Sequence, residues 1–258
     1  MLLSNVSRTA IYTLVIHDLI SKKNITNDPQ SINCLNNLYN ISSLDEKKQI
    51  DKMKRSLSGL GYLNSVLPHI KRITTIDSLA NNFIDRHNNC TVINLACGFD
   101  TRFWRINNNK CRYIEIDLPE LIYIKQKLLD IKYKIIGCSV LDYSWIDNVI
   151  KDGRNNFLII AEGLLMYFSP KDGINFLSTL PKHFNNSEII FDMFPKYLTK
   201  GIWRMITKLL SKQSFGFDIT MDFGFQKPND LENISSQYKI IDYTKIESRS
   251  LIHASING

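Results

Sequence analysis

The order of apolar and polar positions divides the chain into two unequal parts. Up to about residue 85, apolar side chains recur at three- and four-residue intervals, which predicts helices over 9–21, 44–58 and 75–86. From about residue 90 the pattern changes to short apolar runs separated by helical segments, as expected of a parallel sheet with crossover helices. Strands are expected near 91–96, 112–117, 133–138, 157–162 and 188–193, and helices near 100–106, 119–130, 143–151 and 170–184. Residues 238–243 and 249–254 read as antiparallel strands closing the sheet edge, and 195–232 as an insertion that is helical near 202–210. The expected architecture is one α/β domain over residues 1–258. It places a helical cap (1–88) on a mostly parallel, Rossmann-like sheet with an antiparallel edge (89–258).

Composition narrows the function classes without choosing one. The chain has 258 residues and is 44% hydrophobic, enough for a full core. Its net charge is +7, from 32 basic and 25 acidic residues. The basic residues are scattered, with the densest groups (Lys47-Lys48, and Lys52 to Arg55) in helical segments. That distribution predicts a solvated surface and no nucleic-acid partner. Five cysteines, at 34, 90, 97, 111 and 138, lack paired metal-ligand spacing. With no secretory leader, they predict reduced thiols in a cytoplasmic protein without a metal centre. The apolar patch from Ile11 to Ile20 is interrupted by Thr13, His17 and Asp18. It is too short and too polar to span a bilayer, so no membrane partner is expected.

The chemistry concentrates between Thr91 and Asp117. An apolar run (Val92, Ile93, Leu95) stops at the small residues Ala96-Cys97-Gly98, and a second run ends in Glu115-Ile116-Asp117. Small residues let backbone approach a ligand, and a carboxylate about twenty residues on can accept hydrogen bonds from ribose hydroxyls. A pyrophosphate-binding loop would need three glycines, and here only Gly98 is present, followed by Asp100. An acid at that place repels a diphosphate and attracts a cation, which favours S-adenosylmethionine over NAD. Further acids stand at or near the other strand tips, at Asp142, Glu162 and Asp192. Carboxylates gathered in a crevice repel one another unless a cation is shared among them, and a sulfonium would be one.

Three motifs then appear in order: Gly98-Phe99-Asp100-Thr101-Arg102-Phe103-Trp104-Arg105, Glu115-Ile116-Asp117-Leu118-Pro119-Glu120, and Ala161-Glu162-Gly163-Leu164-Leu165-Met166-Tyr167. With Ser7 to Ala10, Asp28-Pro29, Arg72 to Asp77, Ser144 to Asp147 and Phe191 to Pro195, they resemble the leucine carboxyl methyltransferase family. The likeness is nearer to its bacterial branch, the O-methyltransferases of polyketide biosynthesis, and covers roughly residues 5–200. The resemblance implies a class I methyltransferase fold that binds S-adenosylmethionine. It implies that Arg72 pairs with the cofactor's methionine carboxylate, that the Ala96–Gly98 turn passes beside it, and that Asp117 holds the ribose. Leu141 and Asp142 would face the adenine, Glu162 the ammonium or the methyl-transfer centre, and Tyr167 the acceptor. Trp104 and Trp145 read as core anchors, and His17 is left without a role.

The implied reaction is methyl transfer to a carboxylate or hydroxyl of a small-molecule acceptor. A carboxylate is already ionised at neutral pH and needs no base, whereas a phenol would need one, for which Glu162 and His183 are the candidates. Two departures from the family pattern stand out: Ala96 replaces the first glycine of the cofactor turn, and the chain stops at Gly258 soon after its last strand-like run. They leave a non-catalytic binding protein as an alternative, beside a methyltransferase of protein C-terminal leucines. Nucleic-acid methylation lacks the Asn-Pro-Pro-Tyr type of tetrad after strand four. Oligomeric state is not legible.

Overall fold

A computed structural model describes residues 5–57, 66–106, 110–151, 153, 156–215 and 220–258. Four helices lead the chain: α1 (Asn5–Lys22), α2 (Pro29–Ile41), α3 (Leu44–Ser56) and α4 (Leu67–Arg86). Helices α1, α3 and α4 correspond to the three expected, but α1 starts four residues and α4 eight residues earlier than the periodicity predicts, and Ser58 at the expected end of α3 lies outside the described residues. Helix α2 is not among the helices expected from sequence. Its four asparagines are poor helix formers, and its formation rests on context. Asp28 caps it by accepting from Ser31 N at 3.1 Å, Pro29 sets its first turn, and Cys34, Leu35 and Leu38 are buried.

The core follows as β1 (Cys90–Leu95), α5 (Arg102–Ile106), β2 (Cys111–Asp117), α6 (Pro119–Leu128), β3 (Lys134–Gly137), α7 (Ser144–Ile150), β4 (Phe157–Ala161), α8 (Pro170–His183) and β5 (Ser187–Met193). Helix α9 (Gly201–Phe215) and the short α10 (Asp230–Ile234) precede the hairpin of β6 (Tyr238–Ile246) and β7 (Arg249–Ile256). The sheet order is β3-β2-β1-β4-β5-β7-β6. β1 to β5 are parallel, β7 is antiparallel to β5, and β6 is antiparallel to β7. β1, β4 and β5 are buried along their whole length, as in a sheet covered by helices on both faces.

One buried cluster joins Trp145, Phe176, Leu180 and Phe184 to one face of the sheet, and another joins Ile76, Phe83 and Ile106 to the opposite face. A third lies within the cap, between α1, α2, α3 and α6. Trp145 is fully buried and stacked on Phe184, as a core anchor. Trp104 is only partly buried, edge-on to Phe103 and Tyr133. The chain runs outward from β1 to β2 and β3, then returns to β4 on the other side of β1. That reversal opens a crevice at the carboxyl ends of β1 and β4, the place where ligands bind in open α/β sheets.

Candidate active site

The turn after β1 is held from three sides. Asp117, at the tip of β2, accepts from Gly98 N at 2.6 Å with Oδ2 and from Leu118 N at 2.7 Å with Oδ1. Buried Lys125 of α6 donates to the Asp100 carbonyl at 2.6 Å and to Glu115 at 2.7 Å. Ala96 and Gly98 both sit in the left-handed region, at φ +49° and +52°. A Cβ on Gly98 would fall 2.9 Å from Cβ of Ala10, so α1 closes directly on this glycine. Burial raises the Asp117 carboxyl above its ordinary value, against the two backbone N–H groups that favour its charge.

The acids at the strand tips are tied mainly to arginines of the chain itself. Glu162 accepts from Arg72 Nε at 2.6 Å and from Arg102 Nη2 at 2.5 Å. Asp192, at the end of β5, faces Arg72 Nη1 at 3.2 Å, Arg249 Nη1 at 2.9 Å and Gly163 N at 2.5 Å. Asp77 binds Arg102 and Arg105, Asp100 pairs with the same two arginines, and Asp28 accepts from Arg105 at 2.9 Å and Thr101 at 2.6 Å. His17 Nδ1 lies 3.6 Å from Asp28. This corrects the inference that a bound cation must be what relieves the acids. Sequence alone does not show that Arg102 and Arg105 of α5 and Arg249 of β7 meet here. Burial would raise the Glu162 carboxyl, but Arg72 and Arg102 override it and hold the pKa down to about 2. Counting Asp28, Asp77, Asp100, Asp117, Glu162 and Asp192 against Arg72, Arg102, Arg105 and Arg249, two formal negative charges remain uncompensated with His17 neutral. The set therefore still favours a cationic ligand.

A cavity of about 420 Å³ occupies the crevice, roofed by Thr9 to Leu14 of α1. Its volume is in the range of small-ligand sites. Arg72, Ala96, Gly98, Asp117, Glu162 and Tyr167 all line it. Leu141 and Asp142 do not: Leu141 packs beside the core, and exposed Asp142 accepts from Ser144 N at the start of α7. From the same loop it is Cys138, Ser139 and Val140 that reach the cavity. Asn94, His69 and Arg249 line it as well, without having been singled out. Asn94 could have been noticed as a polar residue inside an apolar strand, whereas nothing local marks Arg249. His17 lines the cavity too, while His183 is exposed at the end of α8 and does not line it. Burial raises the Tyr167 phenol, so it keeps its proton at neutral pH. A glycine that admits no side chain, a buried carboxylate at the β2 tip and a surplus of negative charge fit S-adenosylmethionine.

Residues 42–180, more than half of the chain, match the family model described as leucine carboxyl methyltransferase. The tetracenomycin polyketide synthesis O-methyltransferase TcmP of Streptomyces glaucescens is 31% identical over 124 residues, covering 47% of this chain and 45% of that protein. Leucine carboxyl methyltransferase 1 of Rattus norvegicus is 27% identical over 135 residues, covering 39% and 41%. The chain thus spans about half the length of the curated relatives it matches. Among solved structures, an O-methyltransferase family protein from Burkholderia thailandensis aligns with TM-score 0.50 and 11% identity over 81% of this chain and 61% of its own. Magnesium protoporphyrin IX methyltransferase from Synechocystis, solved with bound SAH, aligns with TM-score 0.50 and 14% identity over 73% and 85%. At such identities the likeness concerns the fold, which is that of class I methyltransferases.

Proposed function

The chain belongs to the leucine carboxyl methyltransferase family, and on that premise we propose that it is an S-adenosylmethionine-dependent O-methyltransferase acting on a small-molecule acceptor. The observation that carries the reading is the cavity at the strand tips. It sets Gly98 and Asp117 on one side and Glu162 and Tyr167 on the other. Bound S-adenosylmethionine supplies a methyl group on an electrophilic sulfonium.

The chain's own residues position, orient and exclude water. Asp117 accepts from the ribose hydroxyls with the lone pairs that its two backbone N–H bonds leave free. Arg72 commits Nε and Nη1 to Glu162 and Asp192 and keeps Nη2 for the methionine carboxylate. Glu162 stays ionised throughout the physiological range and offers negative charge to the ammonium. Ala96 and Gly98 bring backbone alongside the cofactor. Around the adenine, Cys138 to Val140 take the place expected for Leu141 and Asp142.

The same geometry favours a carboxylate acceptor over a phenol. Glu162, with a pKa of about 2 and both oxygens held by arginines, is a poor base, and Tyr167 is protonated. A carboxylate arrives ionised, so alignment and desolvation suffice. A hydroxyl acceptor would have to rely on His17 or His69, the imidazoles of the cavity. A small acceptor is supported over a protein terminus by the higher identity to the polyketide O-methyltransferase.

Calorimetric titration with S-adenosylmethionine and S-adenosylhomocysteine tests the proposal. Binding near the micromolar range is expected, weakened roughly 10- to 100-fold in Asp117→Asn, the worth of one or two hydrogen bonds to a charged group. No binding by a folded protein would overturn it and leave a binding module without methyltransferase activity. Radiolabelled methyl transfer to panels of carboxylic acids and phenols then separates the acceptor classes.

A further inference from the structure

The segment from Lys196 to Phe215 has no part in the cavity, and its composition is unlike that of the rest of the chain. Lys196, Lys200, Arg204, Lys208 and Lys212 recur at intervals of four with no acidic residue among them, in a chain whose net charge is +7. Helix α9 carries most of this segment. At 100° per residue, Ile202, Trp203, Met205, Ile206 and Leu209 fall within one half of its circumference, while Arg204 and Lys208 fall in the other half.

The apolar half faces solvent. Ile202 is 68% exposed, Met205 72% and Leu209 68%, and among the described residues nothing covers them. Burying such a face in the core would have been worth more than 1 kcal/mol per side chain, so its exposure calls for an external partner. Tyr197 and Trp203, both about half exposed, stand edge-on with ring centroids 6.0 Å apart. Aromatic rings with one polar atom favour the boundary between water and lipid headgroups. Arg204 pairs with Asp222 at 2.7 Å, which ties the polar half of the helix to the segment that follows it.

We propose that α9 docks the protein on anionic membrane surfaces, lying in the headgroup plane with Ile202, Trp203, Met205, Ile206 and Leu209 inserted and Lys196 and Lys200 over the lipid phosphates. Charge complementarity and the aromatic pair select a lipid surface. An apolar groove on a protein would use the same aliphatic side chains without needing a cation at every fourth position. This differs from the sequence expectation of no membrane partner, although no helix among the described residues is long and apolar enough to cross a membrane. Helix α9 lies against α1, the helix that roofs the cavity, so docking would bring the cavity near the bilayer.

The test is cosedimentation of the full chain with phosphatidylcholine vesicles prepared with and without phosphatidylserine, read together with tryptophan emission. Preferential binding to the anionic vesicles is expected, with a blue shift absent in Trp203→Phe, which separates Trp203 from Trp104 and Trp145. In Met205→Glu/Leu209→Glu the partition coefficient should fall about tenfold or more, with an unchanged circular dichroism spectrum. Equal affinity of that variant would overturn the proposal in favour of diffuse attraction of a basic surface. So would absence of binding at low salt. A wild-type dimer that becomes monomeric in the variant would also overturn it, by showing that the face pairs two copies. Cofactor titration of the same variant reads the methyltransferase proposal separately, since none of these residues lines the cavity.

Discussion

Ala96 shows how one methyl group registers in the structure. It stands where a glycine is expected and takes φ +49°, a conformation that costs an L-residue roughly 1–2 kcal/mol. Ala96→Gly relieves that strain but loosens the unfolded chain and removes a small contact with the core. The expected net result is a gain of about 0.5–1 kcal/mol, measured by urea unfolding. Gly98 behaves oppositely, because Ala10 leaves no room for a side chain there. Asp142 tests the division of labour in the loop after β3. It is exposed and off the cavity, so Asp142→Ala should change S-adenosylhomocysteine affinity less than about threefold, against the tenfold or more expected for Asp117→Asn.

At the scale of elements, the site is assembled by segments that must each end in the right place. Helix α4 carries Arg72 to the carboxylates of Glu162 and Asp192, and Asp77 to the guanidiniums of Arg102 and Arg105. The β6–β7 hairpin delivers Arg249 to Asp192 and lays its guanidinium over Phe194 at 4.4 Å. Of the N-terminal helices, α2 and α3 carry side-chain caps. Ser43 and Glu46 form a capping box at α3, the Ser43 hydroxyl accepting from Glu46 N and the Glu46 carboxylate accepting from Ser43 N. Ser43→Ala should cost about 1 kcal/mol in global stability, visible as a lower urea midpoint with an unchanged slope. A changed slope would mean that α3 melts separately from the core.

Across the whole molecule, the carboxylate–arginine lattice couples cap to sheet and makes stability depend on pH. Glu162 has its pKa lowered from the ordinary 4.5 to about 2, so its contribution is full above 4.5 and is lost as pH falls through the folded value. Asp28, Asp100 and Glu188 are shifted in the same direction, while Glu115 and Asp117, raised mainly by burial, act with the opposite sign. The lowered groups predominate, so the urea midpoint should decline between about pH 4.5 and pH 2. In Glu162→Gln that decline should be shallower. The same variant should lose about 3–5 kcal/mol at neutral pH, because Arg72 and Arg102 keep their charge in a buried place.

The strands, the crossover helices and the crevice at their carboxyl ends were legible from the chain, because each rests on local periodicity and on small residues at a turn. Gly98, Asp117 and Glu162 could be assigned to that crevice for the same reason, since strand-tip residues converge wherever parallel strands stand side by side. Helix α2 was not legible, since its asparagines speak against a helix that buried contacts and Asp28 stabilise. Nor could sequence place Arg249 beside Asp192, fifty-seven positions away, or show that arginines neutralise most of the acids. Periodicity and turn chemistry act over a few residues and can be read in order along the chain. Ion pairing and burial depend on which distant segments meet, and that is settled by the packing of the cap and the hairpin on the sheet.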